Sequence, residues 1–179
     1  MPSTGRSKKA SPVSRSSLQG LLRRIRLFAT DVDGVLTDAG MYYSESGDEW
    51  KKFNTRDGMG IKLLQRAGIL TAIITQESTK IVMRRAQKLT IPEVHQGAFD
   101  KLGVLKEMMT RHHLTFDQVA YIGDDVNDLL TLQAVGFSAA PADAMPVVLK
   151  AVRYVCSHKG GEGAVREVAD LILSAQQAQ

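Results

Sequence analysis

Two aspartates one residue apart, Asp31 and Asp33, follow the apolar run Ile25-Arg26-Leu27-Phe28-Ala29-Thr30, and the segment continues Gly34-Val35-Leu36-Thr37. The run predicts a strand, and Gly34 permits a sharp exit from it. Just past a strand end, residues i and i+2 can converge on one pocket. Two carboxylates that close repel, so one takes a proton or both hold a cation. That suits a nucleophile beside an acid/base, on a hard cation of the Mg²⁺ type that prefers oxygen ligands. Taken alone, the pattern also fits a solvated loop at a strand end.

Three further groups extend it. Gly123-Asp124-Asp125-Val126-Asn127-Asp128 follows a second apolar segment, Gln118-Val119-Ala120-Tyr121-Ile122. Asp is common at a helix start, but three more carboxylates exceed what one cap needs. Between the acidic loops, Leu70-Thr71-Ala72-Ile73-Ile74-Thr75 reads as an apolar strand ending in a hydroxyl. Lys101 stands just inside a predicted helix, where a solvated surface lysine is the plain alternative.

Holding these residues together takes a repeated strand–helix order. Further strands are predicted near 69–75, 118–122 and 153–156, with shorter ones near 93–96 and 137–139. Helices are predicted at about 58–67, 79–89, 100–113, 126–134 and 162–175. The alternation implies an α/β fold, one Rossmann-like doubly wound sheet, mainly parallel and covered on both sides. Ligands sit at the carboxyl ends of such strands, where Asp31, Thr75 and Asp124 all lie. Residues 40–53 read as a small β-hairpin insertion around a Ser-Gly-Asp turn.

A chain of 179 residues is one domain by length, and 44% apolar with 23% charged residues is ordinary for a globular protein. Cys156 is the only cysteine, which excludes an intrachain disulfide. No apolar run approaches the ~18 residues that a membrane span needs. A cytoplasmic enzyme with no membrane partner is expected. The net charge of +4 is uneven: residues 1–26 carry seven basic residues and no acid, leaving 16 basic against 19 acidic residues beyond. Residues 1–20 are therefore expected to be a disordered basic leader and 21–179 the domain. Contact with RNA or an acidic surface, or a transit peptide, are the alternatives for the leader; no nucleic-acid partner is expected. The four histidines show no metal-ligand spacing.

In order, the chain offers Asp-x-Asp, a strand-end Thr, a Lys and Gly-Asp-Asp-x-x-Asp. This resembles the haloacid dehalogenase-type phosphohydrolases over about residues 25–175. The resemblance implies that Asp31 attacks phosphorus and becomes an aspartyl-phosphate, while Asp33 protonates the leaving oxygen and then activates water. It also implies Mg²⁺ held by Asp31, by Asp33 through its carbonyl and by Asp124, with Thr75 and Lys101 on the phosphate oxygens. Asp125 and Asp128 would orient water or Lys101, a helix cap being the alternative for Asp125.

Members of that superfamily usually carry a cap domain, but only 41 residues separate Asp33 from Thr75 and 25 separate Thr75 from Lys101. The chain is similar to the capless group that dephosphorylates 2-keto-3-deoxy sugar acid phosphates: 3-deoxy-D-manno-octulosonate 8-phosphate and the nine-carbon KDN or N-acetylneuraminate 9-phosphates. Asp31 through Asp38, Lys52-Phe53-Asn54-Thr55-Arg56-Asp57-Gly58, Val119 through Asp125 and Gly160 through Glu167 carry that likeness. It implies a homotetramer assembled through the hairpins, for which Tyr42, Tyr43 and Trp50 are suited; packing on their own domain is the alternative. Where eight-carbon enzymes typically have Gly-Arg after the Thr, this chain has Gln76-Glu77. Glu77, with Arg85 and Lys88 on the next helix, looks like the KDN 9-phosphate enzymes, so a nine-carbon substrate is favoured with the eight-carbon acid close behind. Two other classes share part of the pattern: a receiver-type signalling domain, which places its acid pair and phosphorylated Asp on different strands, and a non-catalytic phosphatase-like tetramerisation domain.

Overall fold

A computed structural model describes residues 15–47 and 49–177. After α1 (Arg15–Leu22) and β1 (Leu27–Thr30) come the short strands β2 (Tyr42–Tyr43) and β3 (Glu49–Trp50). Then follow α2 (Thr55–Arg66), β4 (Leu70–Ile74), α3 (Lys80–Leu89), β5 (Glu93–His95) and α4 (Lys101–Arg111). The chain closes with β6 (Val119–Ile122), α5 (Leu129–Ala134), β7 (Phe137–Ala140), α6 (Pro146–Ala151), β8 (Tyr154–Val155) and α7 (Ala164–Gln177).

Six strands form one parallel sheet in the order β5-β4-β1-β6-β7-β8, and β2 pairs antiparallel with β3 as a separate hairpin. Alternation along β1 sends Phe28 to one face and Leu27 and Ala29 to the other. The Phe28 face is covered by α1, α2, α3 and α7 through Leu22, Ile61, Leu64, Val82 and Ile172. The opposite face is covered by α4, α5 and α6 through Leu105, Met108, Leu132 and Val148. Each such buried side chain contributes about 1.5–3 kcal/mol. The doubly wound architecture, the hairpin and the lack of a cap among the described residues agree with the sequence-based expectation. No helix among those residues is long and apolar enough to cross a membrane.

Two boundaries and one helix differ. The expected leader edge at residue 20 falls inside α1, whose Leu18 and Leu22 pack on the core. Gln176 Nε2 also donates to Ile25 O there (2.9 Å), so the final helix gives this segment a surface to fold on. The expected leader residues 1–14 lie outside the described residues. Helix α2 starts three residues early because the Asn54 side chain accepts from Arg56 N, a cap that ends the preceding extended segment. Helix α6 was not expected from the sequence; Pro146 at its first turn presets the helical φ.

Candidate active site

The sheet reverses direction of winding at β1, whose neighbours β4 and β6 lead to opposite edges. Asp31 leaves β1 and Asp124 leaves β6 side by side at this switch point. Gly34 has φ +83°, and a Cβ there would overlap Asp124 Oδ2, so glycine is needed both for the turn and for the approach of the two loops. Thr37, which sequence reasoning passed over, is fully buried and staples this loop: its Oγ1 donates to Val32 O and accepts from Gly34 N (both 3.3 Å). Gly160 presses on the same loop from outside, where a side chain would overlap Gly34 O. Glu167 anchors that segment by accepting from Ser157 Oγ (2.8 Å) and pairing with His158 Nδ1 (2.6 Å). Although burial opposes it, these bonds hold the Glu167 carboxyl down at about 2.

Asp31, Asp33, Thr75, Glu77 and Asp124 line one open cleft of about 550 Å³. Lys101, in the first turn of α4, is buried behind it, 2.9 Å from Asp31 Oδ2 and donating to Asp128 Oδ1 at 2.7 Å. Asp128 is fully buried and saturated: Oδ1 also accepts from Tyr121 OH (2.6 Å), and Oδ2 from the Asp124 and Asp125 amides. It therefore orients Lys101 and the second acidic loop. Asp125 is exposed and caps the turn that follows by accepting from Val126 N (2.6 Å).

Electrostatics favour a cation here. Among the described residues, Asp31, Asp124 and Asp128 offer carboxylate oxygens within 4.8 Å of one another. Burial first, then the Asp128 charge, raises the Asp31 carboxyl to about 7 against the pull of Lys101. Burial and the charges of Asp31 and Asp128 raise Asp124 to about 8. Asp124 Oδ1 is buried without a hydrogen-bond partner. An all-oxygen, net-acidic cluster with an orphaned carboxylate oxygen fits a hard divalent ion. The Asp33 side chain is not part of this cluster; its expected ligand is the backbone carbonyl.

Asp33 instead pairs with Lys51 Nζ at 2.5 Å. Lys51 was missed because Lys51 and Lys52 are indistinguishable in sequence; only the fold turns the first inward and leaves the second exposed. Two expected substrate contacts are not brought to the cleft of their own subunit. Arg85 donates to Asn54 O (2.9 Å) and lies over the Phe53 ring, 5.4 Å from its centroid, so its guanidinium ties α3 to the start of α2. Lys88 is exposed one turn further along α3. Glu77 does line the cleft, beside Gln76, which accepts from Asn127 Nδ2 (3.2 Å).

A parallel sheet with paired carboxylates at its switch point, flanked by a buried ammonium and a strand-end hydroxyl, defines an α/β enzyme equipped for phosphoryl transfer. The family model for haloacid dehalogenase-like hydrolases matches residues 65–168. The 3-deoxy-D-manno-octulosonate 8-phosphate phosphatase of Yersinia pestis is 47% identical over 152 residues, 85% of this chain and 81% of that protein. A Moraxella catarrhalis structure of the same-named enzyme, in complex with magnesium ion, phosphate ion and KDO, matches with TM-score 0.89 at 38% identity. It covers 91% of this chain and 94% of that one. The cobalt-bound form of the Haemophilus influenzae enzyme matches with TM-score 0.84 at 42% identity, covering 87% and 91% of the two chains. The chain belongs to the haloacid dehalogenase-like hydrolases, in their capless sugar acid phosphate phosphatase group, and is a phosphoric monoester hydrolase.

Proposed function

We propose that this chain removes the terminal phosphate of 3-deoxy-D-manno-octulosonate 8-phosphate, with magnesium as cofactor. The convergence of Asp31, Asp33, Thr75 and Asp124 on one cleft, backed by Lys101, carries the chemical part of the reading. The substrate named for the relatives supports the eight-carbon acid. The nine-carbon preference expected from Gln76-Glu77 loses its partners, since Arg85 and Lys88 lie away from this cleft. A cleft of this volume is of the size that holds a small ligand.

Asp31 attacks phosphorus; an Asp31 O–P bond forms as the bond from phosphorus to the sugar oxygen breaks. The electron pair stays on that oxygen, which takes a proton from Asp33. Water then attacks the aspartyl-phosphate, gives its proton to Asp33 and releases phosphate and free Asp31. Thr75 and Lys101 hold the phosphate oxygens, Lys101 as a point charge fixed by Asp128. Asp31, Asp124 and the Asp33 carbonyl would hold the magnesium ion, which supplies positive charge against the phosphoryl group. Phosphate release should require Mg²⁺ and proceed with higher kcat/KM on the octulosonate 8-phosphate than on either nonulosonate 9-phosphate. The reverse order would restore the nine-carbon reading.

A homotetramer is part of the same proposal. On the hairpin, Tyr43 is 66% and Trp50 57% exposed, which leaves aromatic surface for a second copy to cover. Light scattering should give four chains; a fully active monomer would overturn this.

A further inference from the structure

Asp33 has an unequal pair of oxygens. Oδ1 takes the ammonium of Lys51 at 2.5 Å, while Oδ2 is shielded from solvent and has no protein partner. A buried carboxylate oxygen left open in this way asks for an explanation. Lys51 itself is unusual: its side chain is 0% exposed, although it directly follows exposed Trp50 at the end of a two-residue strand. Glu49 Oε1 and Glu77 Oε2 stand 3.8 and 4.0 Å from the same nitrogen. Three carboxylates thus surround one ammonium, at separations where only Asp33 is within hydrogen-bonding distance. Asp33 and Glu77 line the cleft, and Lys51 stands behind both without lining it.

We propose that Lys51 is a positioning residue for phosphoryl transfer, pinning Asp33 Oδ1 so that Oδ2 alone exchanges the proton with the leaving oxygen and then with water. The proposal rests on the reading of Asp33 as the acid/base. With Oδ1 accepting from the ammonium, the transferable proton of the donor state resides on Oδ2, the oxygen without a partner. The carboxyl plane is held by one short contact, and proton transfer depends steeply on such placement. Glu49 and Glu77 keep the ammonium from swinging away, which makes the hairpin side of the cleft part of the catalytic geometry.

The leaving group supplies the test, because an aryl phosphate departs with little help from a proton donor and an alkyl phosphate does not. The value of kcat/KM covers steps only up to loss of the alcohol, so it isolates the proton donation. Lys51→Met should lower kcat/KM on the sugar acid phosphate about ten- to hundredfold, mainly in kcat, and on p-nitrophenyl phosphate less than about threefold. Lys51→Arg, which keeps a cationic donor, should recover part of the loss. Added to Asp33→Asn, Lys51→Met should cause little further loss, since both act through one group. Equal losses on the two substrates, additivity with Asp33→Asn, or a higher KM at unchanged kcat would each overturn the role of Lys51. Asp33→Asn measured alone separates the two readings. If its own loss is equal on both substrates, the acid/base assignment fails; if that loss is selective and the Lys51→Met loss is not, only Lys51 is misassigned.

Discussion

Lys101 and Lys51 each hold one aspartate of the first acidic loop, yet they belong to differently built sides of the cleft. Lys101 sits in the first turn of α4, with Asp100 capping the helix, buried Asp31 and Asp128 on its ammonium, and Tyr121 OH donating to Asp128 behind them. Burial opposes its charge, but the Asp31 and Asp128 carboxylates raise its pKa, so it stays an ammonium. Lys51 follows the two-residue strand β3, and one of its carboxylates, Glu77, is 48% exposed. The side proposed to attack is thus an outgrowth of the sheet core, where Lys101, Asp128 and Tyr121 brace one another behind Asp31. The leaving-group side hangs on a small insertion whose aromatic face points to solvent. Damage to the first should affect all substrates alike, and damage to the second should depend on what is leaving.

The largest effect expected is on the braced side. Asp31→Asn should reduce turnover of every phosphomonoester below detection, because the amide cannot act as nucleophile. Far-ultraviolet circular dichroism should be unchanged, and intact mass must show no deamidation. Retained activity would remove the mechanism altogether. Asp128→Asn should come next, with a loss of roughly ten- to hundredfold in kcat as Lys101 loses its charged anchor. That loss should be the same on alkyl and aryl phosphates; a leaving-group-dependent loss would erase the contrast between the two sides.

Arg85 offers a control outside both. Arg85→Ala removes a donor to Asn54 O and a cation over Phe53, and should cost about 1–2 kcal/mol of stability in urea unfolding. Loss of selectivity for the sugar acid phosphate without loss of stability would instead return Arg85 to substrate binding. The smallest effect is a shift in melting temperature. Folded Asp31 and Asp124 hold protons up to about 7 and about 8, against 3.8 for an unperturbed aspartate. The folded state then binds more protons than the unfolded one above that value, and metal-free stability falls as pH rises through both folded values. Magnesium binds the ionised forms, so its stabilisation should be larger at pH 8 than at pH 5 in a thermal shift series. Equal shifts would place the ion away from these carboxylates.

Much of this was legible beforehand for a definite reason. Strand runs such as Leu70–Ile74 and the acids just beyond strand ends are local patterns, and strand–helix alternation leaves few topologies. Boundaries were less legible: the Asn54 cap and helix α1 depend on a side-chain bond and on packing against α7. Arg85 and Lys88 share a helical face by spacing, but spacing does not say what that face meets. Asp125 and Asp128 look alike in sequence, yet one caps a turn in solvent and the other is fully buried under Lys101.

Likeness to the haloacid dehalogenase-type phosphohydrolases supplied the class of reaction, while the order of Asp31, Thr75, Lys101 and Asp124 along alternating strands and helices was enough to specify the sheet and the end of it that carries the chemistry. Residue type and period carry that information because side-chain direction repeats every two residues in a strand and every 3.6 in a helix. Which partner each charge takes was decided only by the tertiary structure. Lys51 reaches Asp33, and Gly160 reaches Gly34, across 18 and 126 positions of sequence. Such pairings follow from how the hairpin and the final loop close over β1, and no local pattern encodes a distance between segments that meet only after folding.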